Sequence, residues 1–192
     1  QRSRGYAARP ALSLEQIEAV SRAAKAVQPD IIVMVDNCYG EFTQKQEPTQ
    51  RGADLMAGSL IKNPGGGIAP TGGYIAGRAD LVELCAHRLS APGVGGEIGC
   101  TLDMLRGMYL GLYYAPGVVC EALKTSVYAA CLFELLGYAA TPAYGAQRND
   151  IITSVETGSP EGMVALCGGV PTFRQVMDAV LDEAEIESYT IA

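Results

Sequence analysis

Apolar residues recur at Leu14, Ile17, Val20, Ala24 and Val27, the spacing of one helix face. Ser13 precedes the run and Gln16 follows three residues later. This is the capping-box pattern, in which each side chain satisfies the other's backbone N–H. A helix over 14–27 follows, closed by Gln28-Pro29-Asp30. The next stretch, Ile31-Ile32-Val33-Met34-Val35, is apolar throughout and rich in β-branched residues. Such a run predicts a parallel strand buried on both faces. Helix followed by buried strand is the rhythm of an α/β fold.

The pattern then turns polar over 37–50, which predicts a loop. A second short strand is expected over 54–61, running up to Lys62. Asn63-Pro64-Gly65-Gly66-Gly67 signals a sharp turn. A third short strand fits 72–77 and a helix fits 79–89, with Asp80 near its start. After a glycine-rich loop at 91–96, a long helix is expected over 97–114. Pro116 suits the first turn of a further helix. That helix would bury Val119, Leu123, Val127, Cys131 and Leu135 and stop at Gly137. A strand at 150–156 and helices at 160–167 and 175–186 complete the reading. A domain boundary is expected near 115–135, dividing the chain into 1–115 and 116–192.

Composition narrows the function classes. Hydrophobic residues make up 48% and charged residues 18%, the profile of a globular protein. The net charge is −7 and no Lys/Arg run interleaves with aromatics, so a nucleic-acid partner is not expected. No apolar run has membrane-spanning length, so no membrane partner is expected either. The six cysteines are widely spaced, with no C-x-x-C. They read as buried thiols of a reducing, cytoplasmic protein without disulfides or a metal site. Gln1-Arg2-Ser3-Arg4-Gly5-Tyr6 carries no Met, and the chain is expected to be part of a longer protein.

The candidate chemistry lies at strand ends. Asp36 follows the first strand, Ser59 lies near the end of the second, and Lys62 comes three residues later. Ligands of open α/β sheets bind beyond the carboxyl ends of strands. Burial of Lys62 would favour its neutral form, a nucleophile toward carbonyls. A neutral amine forms a Schiff base with an aldehyde cofactor, and pyridoxal phosphate (PLP) supplies such an aldehyde. Asp36 could partner the pyridine nitrogen, and Ser59 with nearby backbone N–H groups could bind the phosphate. Asp36 reads equally well as a turn or cap residue. Arg4 could meet a substrate anion, although a surface or ion-paired role is the commoner fate. Tyr39 and Tyr74 could line the site or belong to the core. Cys38 reads as a packed thiol, and His87 as a surface residue. Gly93-Val94-Gly95-Gly96 follows a helix rather than a strand, so it fails as a dinucleotide loop.

Three segments carry a resemblance. Val35-Asp36-Asn37-Cys38-Tyr39-Gly40-Glu41-Phe42, Gly52-Ala53-Asp54-Leu55 and Gly58-Ser59-Leu60-Ile61-Lys62-Asn63-Pro64-Gly65-Gly66-Gly67 resemble the PLP-binding core of the methionine gamma-lyase family, also labelled aluminium resistance proteins. They are similar to the wider Cys/Met-metabolism enzymes of PLP fold type I. The resemblance implies an α/β fold: part of a PLP fold type I (aspartate aminotransferase-like) large domain, then an interdomain helix and part of the small C-terminal domain. It implies a Schiff-base lysine at Lys62, a pyridine partner at Asp36 and a phosphate donor at Ser59. Arg4 and Tyr39 are weaker substrate-binding candidates. Ile61 departs from the wider group, which has Thr there, and agrees with the narrower one. The implied activity is carbon–sulfur elimination from an amino-acid substrate, in a homodimer or homotetramer. Two alternatives stay open: a truncated, non-catalytic piece of such an enzyme, and a PLP enzyme with different amino-acid chemistry.

Overall fold

A computed structural model describes residues 1–5, 9–91, 93–96, 99 and 101–169. Helix α1 spans Leu14–Val27 and carries both halves of the expected capping box. Ser13 accepts from the Gln16 N–H, and the Gln16 side chain accepts from the Ser13 N–H. Its buried stripe is Leu14, Ile17 and Ser21, while Val20 and Val27 are exposed. The apolar face is therefore narrower than its spacing promised. It covers only a small patch of sheet, where Leu14 and Ile17 meet Val35 and Ala53.

That sheet has three strands: β1 (Met34–Asp36), β2 (Leu55–Ser59) and β3 (Gly73–Gly77). β1 pairs parallel to β2, with Asp36 opposite Ala57. β3 pairs antiparallel to β2, with Tyr74 opposite Gly58 and Gly73 opposite Ser59. The expected strand at 31–35 is displaced toward its carboxyl end. It is not buried on both faces, for Ile31, Ile32 and Met34 are exposed and Val35 is buried. Among the described residues β1 is an edge strand, so only β2 offers it a ladder and only α1 covers a face.

Helix α2 occupies Ala79–Leu89, the residues expected. Helix α3 runs unbroken from Leu105 to Leu135 and corrects the expectation of two helices parted at Pro116. Proline removes one backbone donor from the ladder. The remaining bonds of a 31-residue helix carry it through. Its buried stripe is Gly111, Ala115, Val119, Ser126 and Ala130. Of the stripe expected from larger residues, Val119 is buried as expected, Leu123, Val127 and Cys131 are half-buried on the flank, and Leu135 is exposed. Small residues win because the helix lies close against backbone. A Cβ on Gly111 would meet the Gly65 carbonyl, and a Cβ on Gly66 would meet the Gly111 carbonyl. Thus α3 rests on the 3₁₀ turn Asn63–Gly65, directly after Lys62.

A second, two-stranded sheet pairs β4 (Ala139–Thr141) antiparallel with β5 (Ser154–Glu156). β4 was not expected, and β5 is shorter than the expected strand at 150–156. Arg148 ties this sheet to α3 by donating to Ser126 Oγ at 2.8 Å and Thr153 Oγ1 at 2.6 Å. Residues 160–169 are helical. The helix expected at 175–186 lies outside the described residues. Among the described residues no helix is long and apolar enough to cross a membrane.

Candidate active site

The parallel register of β1 and β2 decides where the chemistry collects. Both strands end at the same edge of the sheet, so Asp36 and Ser59 emerge there together. Lys62 lies three residues beyond β2, at the N-cap of the Asn63–Gly65 turn. The sequence had placed it at the strand end itself. Asp36 is exposed, and its Oδ1 accepts from the Cys38 N–H at 3.1 Å. That is a turn-type bond, and it leaves the second carboxylate oxygen for other partners.

Lys62 is half-buried among residues that follow Asp36. Its Nζ stands 4.5 Å from the centre of the Tyr39 ring, a cation–π contact. Burial acts to lower its pKa. The Cys38 thiol, Tyr39 and the Asp36 charge outweigh burial, and the net shift is upward from 10.5. The expectation of a neutral amine is therefore reversed: opposite charge and polar contacts prevail over desolvation. Burial pushes the Cys38 thiol up as well, so it is a protonated neighbour at neutral pH. Tyr39 adopts φ +70°, a left-handed conformation that costs a non-glycine residue roughly 1–2 kcal/mol. Its carbonyl accepts from the Ile151 N–H at 3.1 Å, which helps hold that conformation.

Beneath these residues lies a buried polar network that the sequence reading missed. Arg2 is fully buried and its N–H donates to the Asp36 carbonyl at 2.9 Å, bringing the first residues to the β1 end. Its Nη1 donates to Asn37 Oδ1 at 3.0 Å and to the Gly40 carbonyl at 2.9 Å. Asn37 Nδ2 donates to Glu47 Oε2 at 2.8 Å. Tyr74 OH donates to Glu41 Oε1 at 3.0 Å, while Glu41 Oε2 is buried without a partner. Arg4 is half-buried, with Nη1 3.5 Å from the Thr141 carbonyl and its N–H 3.3 Å from Asp150 Oδ2. Asp150, 1% exposed, also accepts from Ser3 Oγ at 2.6 Å. His87 stays on the surface, 3.9 Å from Glu83.

One sequence signal pointed to the network. A glycine inside a strand marks close approach. Gly58 does this, for a Cβ there would run into Glu41 Oε1 and the Tyr74 ring. Glu41 itself sits in a polar loop without periodicity, and Arg2 precedes every regular element. No pattern rule singles out either one.

Glu41 is 4% exposed, and burial pushes its carboxyl up from 4.5 to about 7. Its own backbone N–H, the Tyr74 hydroxyl and the Lys62 charge oppose that shift; the Glu47 charge adds to it. The sign for stability follows. Between about pH 4.5 and 7 the folded state keeps a proton that the unfolded state releases, so this group weakens the fold as pH rises. The full effect is up to about 3 kcal/mol, present above pH 7. Glu41→Gln removes the titration. We expect the stability of the original chain relative to Glu41→Gln to fall between pH 5 and 7, measured by urea unfolding. Parallel profiles would contradict this.

Comparison with known proteins sets this site in context. The family model for methionine gamma-lyase matches residues 1–187. An uncharacterised Bacillus subtilis protein, YnbB, is 48% identical over 170 residues, which is 88% of this chain and 40% of that protein. A Bacillus cereus protein of known structure is 51% identical with TM-score 0.83, covering 87% of this chain and 41% of its own. The structure of a carbon–sulfur lyase involved in aluminium resistance from Clostridium novyi is 49% identical with TM-score 0.76, covering 80% and 37%. The chain thus spans about two fifths of the length of these relatives.

Proposed function

Because this chain belongs to the methionine gamma-lyase family, we propose that it carries the lysine-bearing part of a PLP-dependent carbon–sulfur lyase acting on an amino acid. One observation carries the reading. The shared strand edge gathers an amine, a carboxylate and a hydroxyl, and the Asp36 charge is felt at Lys62. That donor set fits PLP, which needs an amine for its aldehyde, an acid for its ring nitrogen and donors for its phosphate. On this reading the sheet is part of a fold type I large domain, and α3 leads toward the small domain.

When bound, PLP supplies an electron sink for the substrate α-carbon. Lys62 would hold it covalently, give way to the substrate amine, and then move a proton at the α-carbon. Such proton transfer is worth roughly 10²–10⁴-fold. Asp36 would keep a proton on the ring nitrogen. Ser59 would donate to the phosphate, with Ile61 unable to add a second hydroxyl there. The Tyr39 ring holds the Lys62 ammonium against the strand edge, and Arg4 would be a candidate to meet an anionic substrate group. Assembly as a homodimer or homotetramer is part of the same proposal.

The test is product analysis. Protein loaded with PLP and given methionine, cystathionine or cysteine should release ammonia, a 2-oxo acid and a thiol (hydrogen sulfide in the case of cysteine) from at least one of them. Amino-group transfer without thiol release would point to different PLP chemistry. The short span relative to its relatives favours a second reading, in which these 192 residues are non-catalytic alone. Titration of the chain with PLP separates the two. Saturable, stoichiometric binding supports a working site, and absence of binding supports the second reading.

A further inference from the structure

The loop between β4 and β5 reaches back to the candidate site, yet the reaction above gives it no task. Asp150 is its anchor, a carboxylate only 1% exposed. Its Oδ2 accepts from Ser3 Oγ at 2.6 Å and from the Arg4 N–H at 3.3 Å, and its Oδ1 accepts from the Ile152 N–H at 3.1 Å. Ser3 is itself buried, one residue after the Arg2 N–H that donates to the Asp36 carbonyl. On one side of Asp150, Asn149 Oδ1 accepts from Gln44 Nε2 at 3.0 Å. On the other, the Ile151 N–H donates to the Tyr39 carbonyl at 3.1 Å. The neighbours of Asp150 thus grip the loop that follows β1. That loop carries Tyr39, at φ +70°, whose ring centre lies 4.5 Å from Lys62 Nζ.

We propose that Asp150 is a positioning residue that acts on Lys62 through Tyr39. Pinned to Ser3 and Arg4, it sets the Ile151 N–H against the Tyr39 carbonyl. That bond holds Tyr39 in a backbone conformation that residues with a side chain rarely adopt, and in this conformation its ring meets the Lys62 ammonium. Without the hold, Tyr39 relaxes to an ordinary conformation and its ring leaves the amine. A lysine side chain is rich in rotamers, and an amine kept in one place is better oriented for a covalent step than one that wanders. The inference deepens the proposed function and rests on Lys62 being the covalent residue. The charged and titratable groups facing Lys62 are Cys38, Tyr39, Asp36 and Glu41. Those facing Asp150 are Arg2 and Arg148.

The experiment is competitive acetylation of the full chain with acetic anhydride, without cofactor, between about pH 8 and 12, reading Lys62 and Lys25 by peptide mass spectrometry. Tyr39→Leu removes the ring and should lower the Lys62 midpoint by roughly half a pH unit, or about threefold more free amine below the midpoint. Asp150→Asn keeps the size of the side chain but turns a donor toward the Arg4 N–H. It should lower the Lys62 midpoint by roughly the same amount. The double variant should lie within about 0.2 unit of Tyr39→Leu, because both changes act through one ring; a direct effect of the Asp150 charge would add instead. Ser3→Ala removes the 2.6 Å bond but keeps that charge, and it should shift Lys62 in the same direction. It carries the test if Asp150→Asn does not fold, which far-UV circular dichroism checks. Lys25, paired with Asp54, is the internal control and should stay unmoved throughout. An unmoved Lys62 in a folded Asp150→Asn or Ser3→Ala chain, additive shifts in the double variant, or an equal shift at Lys25 overturns the proposal. Shifts as expected with no PLP fixed to Lys62 by borohydride overturn the cofactor reading and leave the positioning of Lys62 standing.

Discussion

Lys62→Ala is expected to lower thiol release by at least about 10³-fold, since in the proposed function the side chain would serve as both covalent anchor and proton carrier. Its other contacts are to Cys38 and the Tyr39 ring at a partly exposed position, so the fold should survive with unchanged circular dichroism. Lys62→Arg keeps a cation over Tyr39 but offers no nucleophile near neutral pH, because guanidinium does not lose its proton. It should be as inactive as the alanine variant. Activity within tenfold of the original in either variant would remove Lys62 from the chemistry. A Lys62→Arg variant much more active than Lys62→Ala would reduce its role to charge alone.

Gly111→Val is the second large effect. The new side chain would enter the space held by the Gly65 backbone, which cannot swing aside as a flexible side chain can. Overpacking of this kind costs typically 1–3 kcal/mol, and the gain in helix propensity over glycine is a fraction of 1 kcal/mol. A net loss of about 2–3 kcal/mol is expected in urea unfolding. Gly117→Val is the control, because nothing lies within 4 Å of a Cβ there on the same helix. It should change stability by less than about 0.5 kcal/mol. Gly111→Val should also weaken PLP capture, since the displaced turn begins at Lys62. Equal stability of the two variants would show that α3 does not bear on that turn.

What the sequence revealed was local. Ser13 and Gln16 form a reciprocal cap within four residues, and α2 lies where its periodicity placed it. The placement of Asp36 and Ser59 at one strand edge, with Lys62 just beyond it, was legible because strand ends, a glycine turn and a motif resemblance coincided. The failures share one cause. The buried stripe of α3 is chosen by its approach to a glycine turn some 45 residues earlier, which favours Gly111 and Ala115 over larger side chains. The direction of the Lys62 shift depends on Cys38, Tyr39 and Asp36, which folding brings to it from another strand. The role of Arg2 depends on Asn37 and Glu47, brought to it from the far side of β1. Spacing rules see periodicity along the chain, and each of these features arises from contacts across it.

The most direct measurement is a map of borohydride-fixed cofactor. PLP is added to the chain, the linkage is reduced, and the digested protein is read by mass spectrometry. The pyridoxyl group is expected on the peptide bearing Lys62, at one equivalent per chain, and on no other lysine above background. Fixation on Lys25, Lys45 or Lys124, or equal labelling of all the lysines, would contradict the account.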